Sequence, residues 1–245
     1  MESLQSRLRN LPPCGPPGPS QRRRVSRRLF LCDNGRVDQK NRFDVLLFDL
    51  GGVLIDFAGF DELSRLLPGS PDRKGVRERW IASESVQRFE RGSITPFQFA
   101  QGVIGELELD LSPGDFITTF VEWIRGPYPG ARSVLGQIHS AHRLACLSNS
   151  NELHTPLHRR SMESLMDSYY FSDELGMVKP DPGIFEHVAN DLSVPPHRIA
   201  FFDDTPVNVR AAREVGFEAF EVDGIDQLSA RLRQLGFLPG ARSSR

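Results

Sequence analysis

Five short apolar runs recur along the chain, and each leads into polar residues. Val45-Leu46-Leu47-Phe48 leads to Asp49, and Leu144-Ala145-Cys146-Leu147 to Ser148-Asn149. Tyr170-Phe171 leads to Ser172-Asp173, and Ile199-Ala200-Phe201-Phe202 to Asp203-Asp204. The fifth, Phe217 to Val222, leads to Asp223-Gly224. Short continuous apolar runs suit strands buried on both faces. Amphipathic segments near 130–142, 154–168, 181–192, 206–215 and 225–235 separate them. Strand alternating with helix predicts an α/β fold: a three-layer, Rossmann-like parallel sheet with helices on both faces.

One interval breaks this alternation. Residues 57–126 carry helical patterns near 61–67, 73–89, 96–108 and 113–125, with few strand signals. Pro68-Gly69, Gly92-Ser93 and Ser112-Pro113-Gly114 separate them. The expectation is a four-helix insert between the first two core strands, with Trp80 and Trp123 in its core. The core itself is expected over 43–56 and 127–237, with a C-terminal tail at 238–245.

Composition matters most at the amino end. Residues 1–42 hold 10 Lys+Arg against 3 Asp+Glu, whereas the whole chain holds 30 against 32. The Pro- and Arg-rich stretch lacks helical or strand periodicity, so a disordered basic tail, dispensable for chemistry, is expected over 1–42. Charge alone would let such a tail bind nucleic acid, but a solvated extension is the simpler expectation. Ser26-Arg27-Arg28-Leu29-Phe30-Leu31 resembles an export signal, yet polar Asp33-Asn34-Gly35-Arg36 follows where an apolar stretch is needed. No apolar run approaches the roughly 18–20 residues of a membrane helix. Cys14, Cys32 and Cys146 form no C-x-x-C pair, which excludes a cysteine zinc site and a disulfide framework. A cytoplasmic location is therefore expected.

In an open parallel sheet, ligands bind beyond the carboxyl ends of the strands. Asp49, Ser148-Asn149 and Asp203-Asp204 fall there. Aspartates gathered at one crevice repel one another, and a hard cation such as Mg²⁺ relieves that repulsion. No histidine pair has metal-ligand spacing, and the six histidines read as surface residues, His154 alone near the strand ends. Lys179, in Val178-Lys179-Pro180-Asp181-Pro182, precedes a helix. Beside an acidic site its charge could neutralise a phosphoryl group and orient a nucleophilic carboxylate.

These residues resemble the four motifs of the haloacid dehalogenase-like hydrolases, in order and spacing. Phe48-Asp49-Leu50-Gly51-Gly52-Val53-Leu54-Ile55-Asp56 resembles the first motif and Leu147-Ser148-Asn149-Ser150 the second. Lys179-Pro180 resembles the third and Phe202-Asp203-Asp204 the fourth. The resemblance spans roughly residues 43–237. Within the superfamily the chain resembles the bacterial alpha-glucose-1-phosphate phosphatase type. It shares Phe89-Glu90-Arg91-Gly92-Ser93-Ile94, Leu147 to Thr155, Leu175 to Pro180, and Asp203-Asp204 with Asn208.

The resemblance implies a helical cap over 57–126 and a Mg²⁺-dependent phosphatase acting on a small phosphorylated metabolite, such as glucose 1-phosphate. It implies Asp49 as nucleophile, forming an aspartyl phosphate. It implies metal ligation by Asp49, the Gly51 carbonyl and Asp204, with Asp203 beside them. It implies that Ser148 and the Asn149 amide hold the phosphoryl oxygens and that Lys179 screens the charge. Phosphatases of this superfamily usually carry a second Asp two residues after the nucleophile, and Gly51 stands there. Without that acid, good leaving groups such as an anomeric oxygen should be preferred. Two alternatives stay open: C–halogen hydrolysis of the haloacid dehalogenase kind, and a catalytically weak binding protein on the same fold.

Overall fold

The computed structural model describes residues 42–69, 72–138 and 140–239. The expected basic tail, Arg42 apart, and most of the expected C-terminal tail lie outside the described residues. Arg42 pairs with Glu218, and Leu238 is buried in the core.

Five strands form one parallel sheet: β1 (Val45–Phe48), β4 (Arg143–Ser148), β5 (Ser168–Phe171), β6 (Ile199–Asp203) and β7 (Glu218–Glu221). Their order is β5-β4-β1-β6-β7. Phe48 is in register with Cys146 on one side and Phe202 on the other. The five runs read from sequence are these strands.

The strand period of two splits the sheet's side chains between two cores. Leu46, Phe48, Cys146 and Phe202 point to one face. There they meet α6 (Ala131–Gly136), α7 (Thr155–Ser161) and α11 (Gly224–Gln234) through Ala131, Leu135, Met162, Leu228 and Leu232. Val45, Leu47, Ala145, Leu147 and Phe201 point to the other, against α9 (Pro182–Leu192) and α10 (Pro206–Glu214). This is the expected three-layer arrangement. Phe202 stacks between Phe48 at 5.2 Å and Phe220 at 5.5 Å. Such pairs are each worth about 0.5–1.5 kcal/mol beyond area burial, and here they bind together the strand ends that precede Asp49 and Asp203.

Between β1 and β4 the chain builds a helical insert. Its helices are α1 (Gly59–Leu66), α2 (Arg73–Ala82), α3 (Glu84–Glu90), α4 (Pro96–Leu107) and α5 (Pro113–Val121). Among the described residues, five helices therefore replace the expected four. The expected helix over 73–89 breaks at Ser83, which is extended and whose hydroxyl caps α3 by accepting from the Val86 amide. The insert is framed by two strands that the sequence does not announce, β2 (Ile55–Phe57) and β3 (Ile124–Pro127), paired antiparallel. Three or four residues are too few for a period of two to register. Trp80, Phe89, Phe99, Phe116, Phe120 and Trp123 form a separate core in the insert, as expected for both tryptophans. A short helix, α8 (Ser172–Leu175), follows β5.

Candidate active site

β1 is the central strand, and the chain leaves it to build β4 on one side and β6 on the other. That reversal opens a crevice beyond the strands' carboxyl ends. The polar residues that terminate the apolar runs are carried into it by strand geometry alone. The helical insert covers it, leaving a cavity of about 280 Å³. Asp49, Gly51, Ser148, Asn149, Lys179 and Asp204 line the cavity from the sheet side. Phe60, Arg77, Trp80 and Glu90 line it from the insert.

Lys179 is the electrostatic hub. Its ammonium is 1% exposed, lies 3.0 Å from Asp49 Oδ1, and donates to Asp203 Oδ2 at 2.6 Å and to the Leu147 carbonyl at 3.0 Å. Burial opposes its charge, but Asp203 and Asp49 outweigh burial and hold it above the usual lysine range. Its backbone is fixed by Asn149, whose side chain accepts from the Lys179 amide at 2.8 Å and donates to the Lys179 carbonyl at 3.0 Å. Asp203 does not line the cavity. It is fully buried, and Lys179, the Thr205 amide and Asn208 occupy its oxygens. It holds Lys179 in place from behind the cavity wall.

Asp49 sits at the cavity floor, one oxygen accepting from the Leu50 amide at 2.7 Å. Burial pushes its carboxyl up to about 7 against the pull of Lys179, with Asp203 and Asp204 adding to the rise. Asp204 accepts from Thr205 Oγ1 at 3.0 Å and from the Arg77 guanidinium, reaching down from α2. Its carboxyl is also pushed up by burial.

Oxygens of Asp49, Asp203 and Asp204 lie within 4.8 Å of one another. An all-oxygen set carrying that much like charge fits a hard divalent cation of the Mg²⁺ kind. The backbone leaves room beside it. Gly52 has φ +78°, and a Cβ there would come within 2.6 Å of Asp204 Oδ2. Gly51 lines the same space. Ser148, 3% exposed, donates to the Asn149 carbonyl at 3.4 Å, a long bond that a better acceptor in the cavity would displace.

All seven site residues chosen from sequence thus fall at one strand-end cluster. The histidines need correction. His154 and His158 are 3% and 4% exposed, not on the surface. His154 Nε2 lies 2.8 Å from the Phe120 carbonyl, and Nδ1 is 3.4 Å from the Asn151 amide nitrogen. Burial lowers His154 to about 4 and His158 to about 3, so both are neutral at pH 7. Glu90 and Arg77 are cavity residues to which the sequence reading gives no role. Glu90 was visible only inside its six-residue motif, and Arg77 carried no signal beyond helical position.

A family model described as haloacid dehalogenase-like hydrolase matches residues 43–216. The chain is 25% identical, over 195 residues, to a phosphorylated carbohydrates phosphatase of Thermotoga maritima, covering 71% of this chain and 82% of that one. It is 29% identical over 99 residues to an (S)-2-haloacid dehalogenase of Burkholderia cepacia, covering 39% and 43%. A haloacid dehalogenase family enzyme of Bacteroides thetaiotaomicron, solved with magnesium, has the same fold. Its TM-score is 0.59 at 23% identity, covering 75% of this chain and 94% of that one.

Proposed function

Because this chain belongs to the haloacid dehalogenase-like hydrolases, we propose that it is a phosphatase that releases inorganic phosphate from a small phosphorylated metabolite. A sugar phosphate is the favoured substrate class, with glucose 1-phosphate the first compound to try. The observation that carries the reading is the triad of Asp49, Lys179 and Asp203 beside Asp204. It combines a cavity-floor carboxylate with an ammonium fixed at 3.0 Å from it. A second acidic residue stands within reach of a shared cation.

In this reading Asp49 attacks phosphorus and forms an aspartyl phosphate, which water hydrolyses. Ser148 and Asn149 hold the phosphoryl oxygens, and Lys179 offsets charge on the nucleophile and the phosphoryl group. Asp49, the Gly51 carbonyl and Asp204 would hold Mg²⁺, with Asp203 behind them. When bound, Mg²⁺ neutralises charge between nucleophile and phosphate. Arg77, beside Asp204, lines the cavity and is placed to meet the substrate. The helical insert acts as a cap that excludes water and chooses the substrate. Its cavity face mixes aromatic rings (Phe60, Trp80) with a cation (Arg77) and a carboxylate (Glu90), which suits a compact polyhydroxylated ester.

C–halogen hydrolysis is the second reading. Gly51 favours it, since a halide leaves without a proton, and so does the similarity to a dehalogenase. The paired Asp203-Asp204 favours the phosphatase, because that chemistry needs the cation. The test is a panel of phosphorylated metabolites and 2-haloacids with and without Mg²⁺. Metal-dependent phosphate release is expected. Halide release without metal would replace the phosphatase with the dehalogenase.

A further inference from the structure

We infer that Glu90, at the end of α3 in the insert, is the proton donor to the departing oxygen and the base that activates the hydrolytic water. The inference rests on the phosphatase reading above and supplies the group that Gly51 lacks.

A phosphate ester cannot release an alkoxide cheaply near neutral pH, so some cavity group must carry a proton to it. Most titratable groups lining the cavity are committed elsewhere. Lys179 is locked between Asp49 and Asp203. Asp204 pairs with Arg77. Arg73, Arg77 and Arg91 offer cationic forks suited to binding anions. His154 and His158 are neutral, and His154 faces the Phe120 carbonyl. Asp181 caps α9 by accepting from the Gly183 amide. Glu90 remains. Among the described residues it belongs to none of the ion pairs of the site.

Its placement suits the role. Asn149 Nδ2 donates to Glu90 Oε2 at 3.2 Å and also to the Lys179 carbonyl, so the carboxyl hangs at the rim of the phosphoryl site. Burial pushes it up to about 7, opposed by Lys179 and by the Trp80 and Asn149 side chains, and Asp49 adds to the rise. The charged groups on neighbouring elements are spoken for. Glu106 of α4 is held by Ser83 and Ser85, Asp173 of α8 by Thr155, and Glu174 of α8 by Arg159. A bound phosphoryl dianion repels a carboxylate at this position and favours its acid form.

The steps balance. Asp49 forms a bond to phosphorus, the ester P–O bond breaks, and the departing oxygen takes the Glu90 proton to leave as an alcohol. The Glu90 carboxylate then takes a proton from water as the water oxygen bonds to phosphorus. The bond to Asp49 breaks, which restores the Asp49 carboxylate and the Glu90 acid.

The test compares the full chain with Glu90→Gln, Mg²⁺ present, on phenyl phosphate and 4-nitrophenyl phosphate. These are close in size and differ in the basicity of the departing oxygen. The readout is kcat/KM, which stops at the first irreversible step. Glu90→Gln should lower it roughly 100-fold for phenyl phosphate, within the usual range for a general acid. The loss on 4-nitrophenyl phosphate should be at least about fivefold smaller. Equal losses on both esters would make Glu90 a binding or packing residue and overturn the proposal while the phosphatase reading stands. A wild type that releases no phosphate from either ester or from the metabolite panel fails the phosphatase reading instead. If Glu90→Gln does not fold, the wild-type pH profile decides. Phenyl phosphate should show an alkaline limb, with the rate falling as pH rises past about 7, that is shallower for 4-nitrophenyl phosphate. Identical limbs would refute the donor role.

Discussion

Replacing Lys179 by Met keeps most of the stem and removes one buried charge from the centre of the site. Its Nζ stands 3.0 Å from Asp49 and 2.6 Å from Asp203. At an effective dielectric constant of about 20, each contact is worth about 6 kcal/mol before desolvation is subtracted. Desolvation offsets much of that in the intact protein. Removing one partner leaves the carboxylates without compensation, which costs about 3 to 5 kcal/mol. For a domain this size the melting temperature should fall by about 10 °C. Turnover should fall roughly 100-fold or more, as when one preorganised electrostatic group is lost. Thermal unfolding followed by circular dichroism, across pH 5 to 8, reads the loss of stability, and phosphate release reads the loss of turnover. Asp49 already titrates high, with a folded value of about 7. A raised carboxylate contributes stability that is present at low pH and lost as pH rises through the folded value. Without the ammonium this trend steepens, so the deficit of Lys179→Met should shrink on acidification. Adding Asp203→Asn to Lys179→Met should recover at least about 1 kcal/mol, since the two residues are in contact. A variant that melts within about 2 °C of wild type, or retains activity within a few-fold, would refute the hub role of Lys179.

Asp49→Asn should reduce phosphate release roughly 1,000-fold or more with the fold retained by circular dichroism; persisting turnover would remove Asp49 as nucleophile. Mg²⁺ at about 100 times its dissociation constant should raise wild-type stability by about 2.7 kcal/mol. Asp204→Asn should abolish that shift, and an unshifted wild type would argue against the cation site. Glu90 has a folded value of about 7 against an ordinary 4.5, so its contribution is complete below about pH 4.5 and lost as pH rises through about 7. Relative to Glu90→Gln, the wild type should therefore gain about 2 to 3 kcal/mol between pH 8 and pH 5 in chemical denaturation. A pH-independent difference would contradict the raised Glu90 carboxyl. Gly52→Ala combines a positive φ with a Cβ 2.6 Å from Asp204 Oδ2, so it should cost about 1 to 3 kcal/mol and weaken Mg²⁺ binding in the same titration.

The core sheet was legible because its signal is local. Each strand is an apolar run buried on both faces, and each ends in residues whose side chains prefer turns. Those turn residues are also the site, so Asp49, Ser148, Asn149, Asp203 and Asp204 could be read without knowing which strands are neighbours. The insert was half legible. Its helical periodicity and breakers show in the sequence, but the break at Ser83 depends on its hydroxyl capping α3. The β2–β3 pairing joins residues far apart in the chain. Neither is written in a window of ten residues.

The sequence by itself determined the layered sheet and the carboxylates and ammonium placed at its strand ends, because strand period and turn chemistry act between near neighbours. Only the tertiary structure decided which groups work alone and which are taken. Packing of the insert over the crevice buries His154 and His158 in their neutral forms. It also brings Arg77 to Asp204 and hangs Glu90 beside Asn149, outside the ion pairs of the site. Burial and charge at a point depend on every chain segment that passes near it, and the segments here come from opposite sides of a 70-residue insert, roughly residues 57–126.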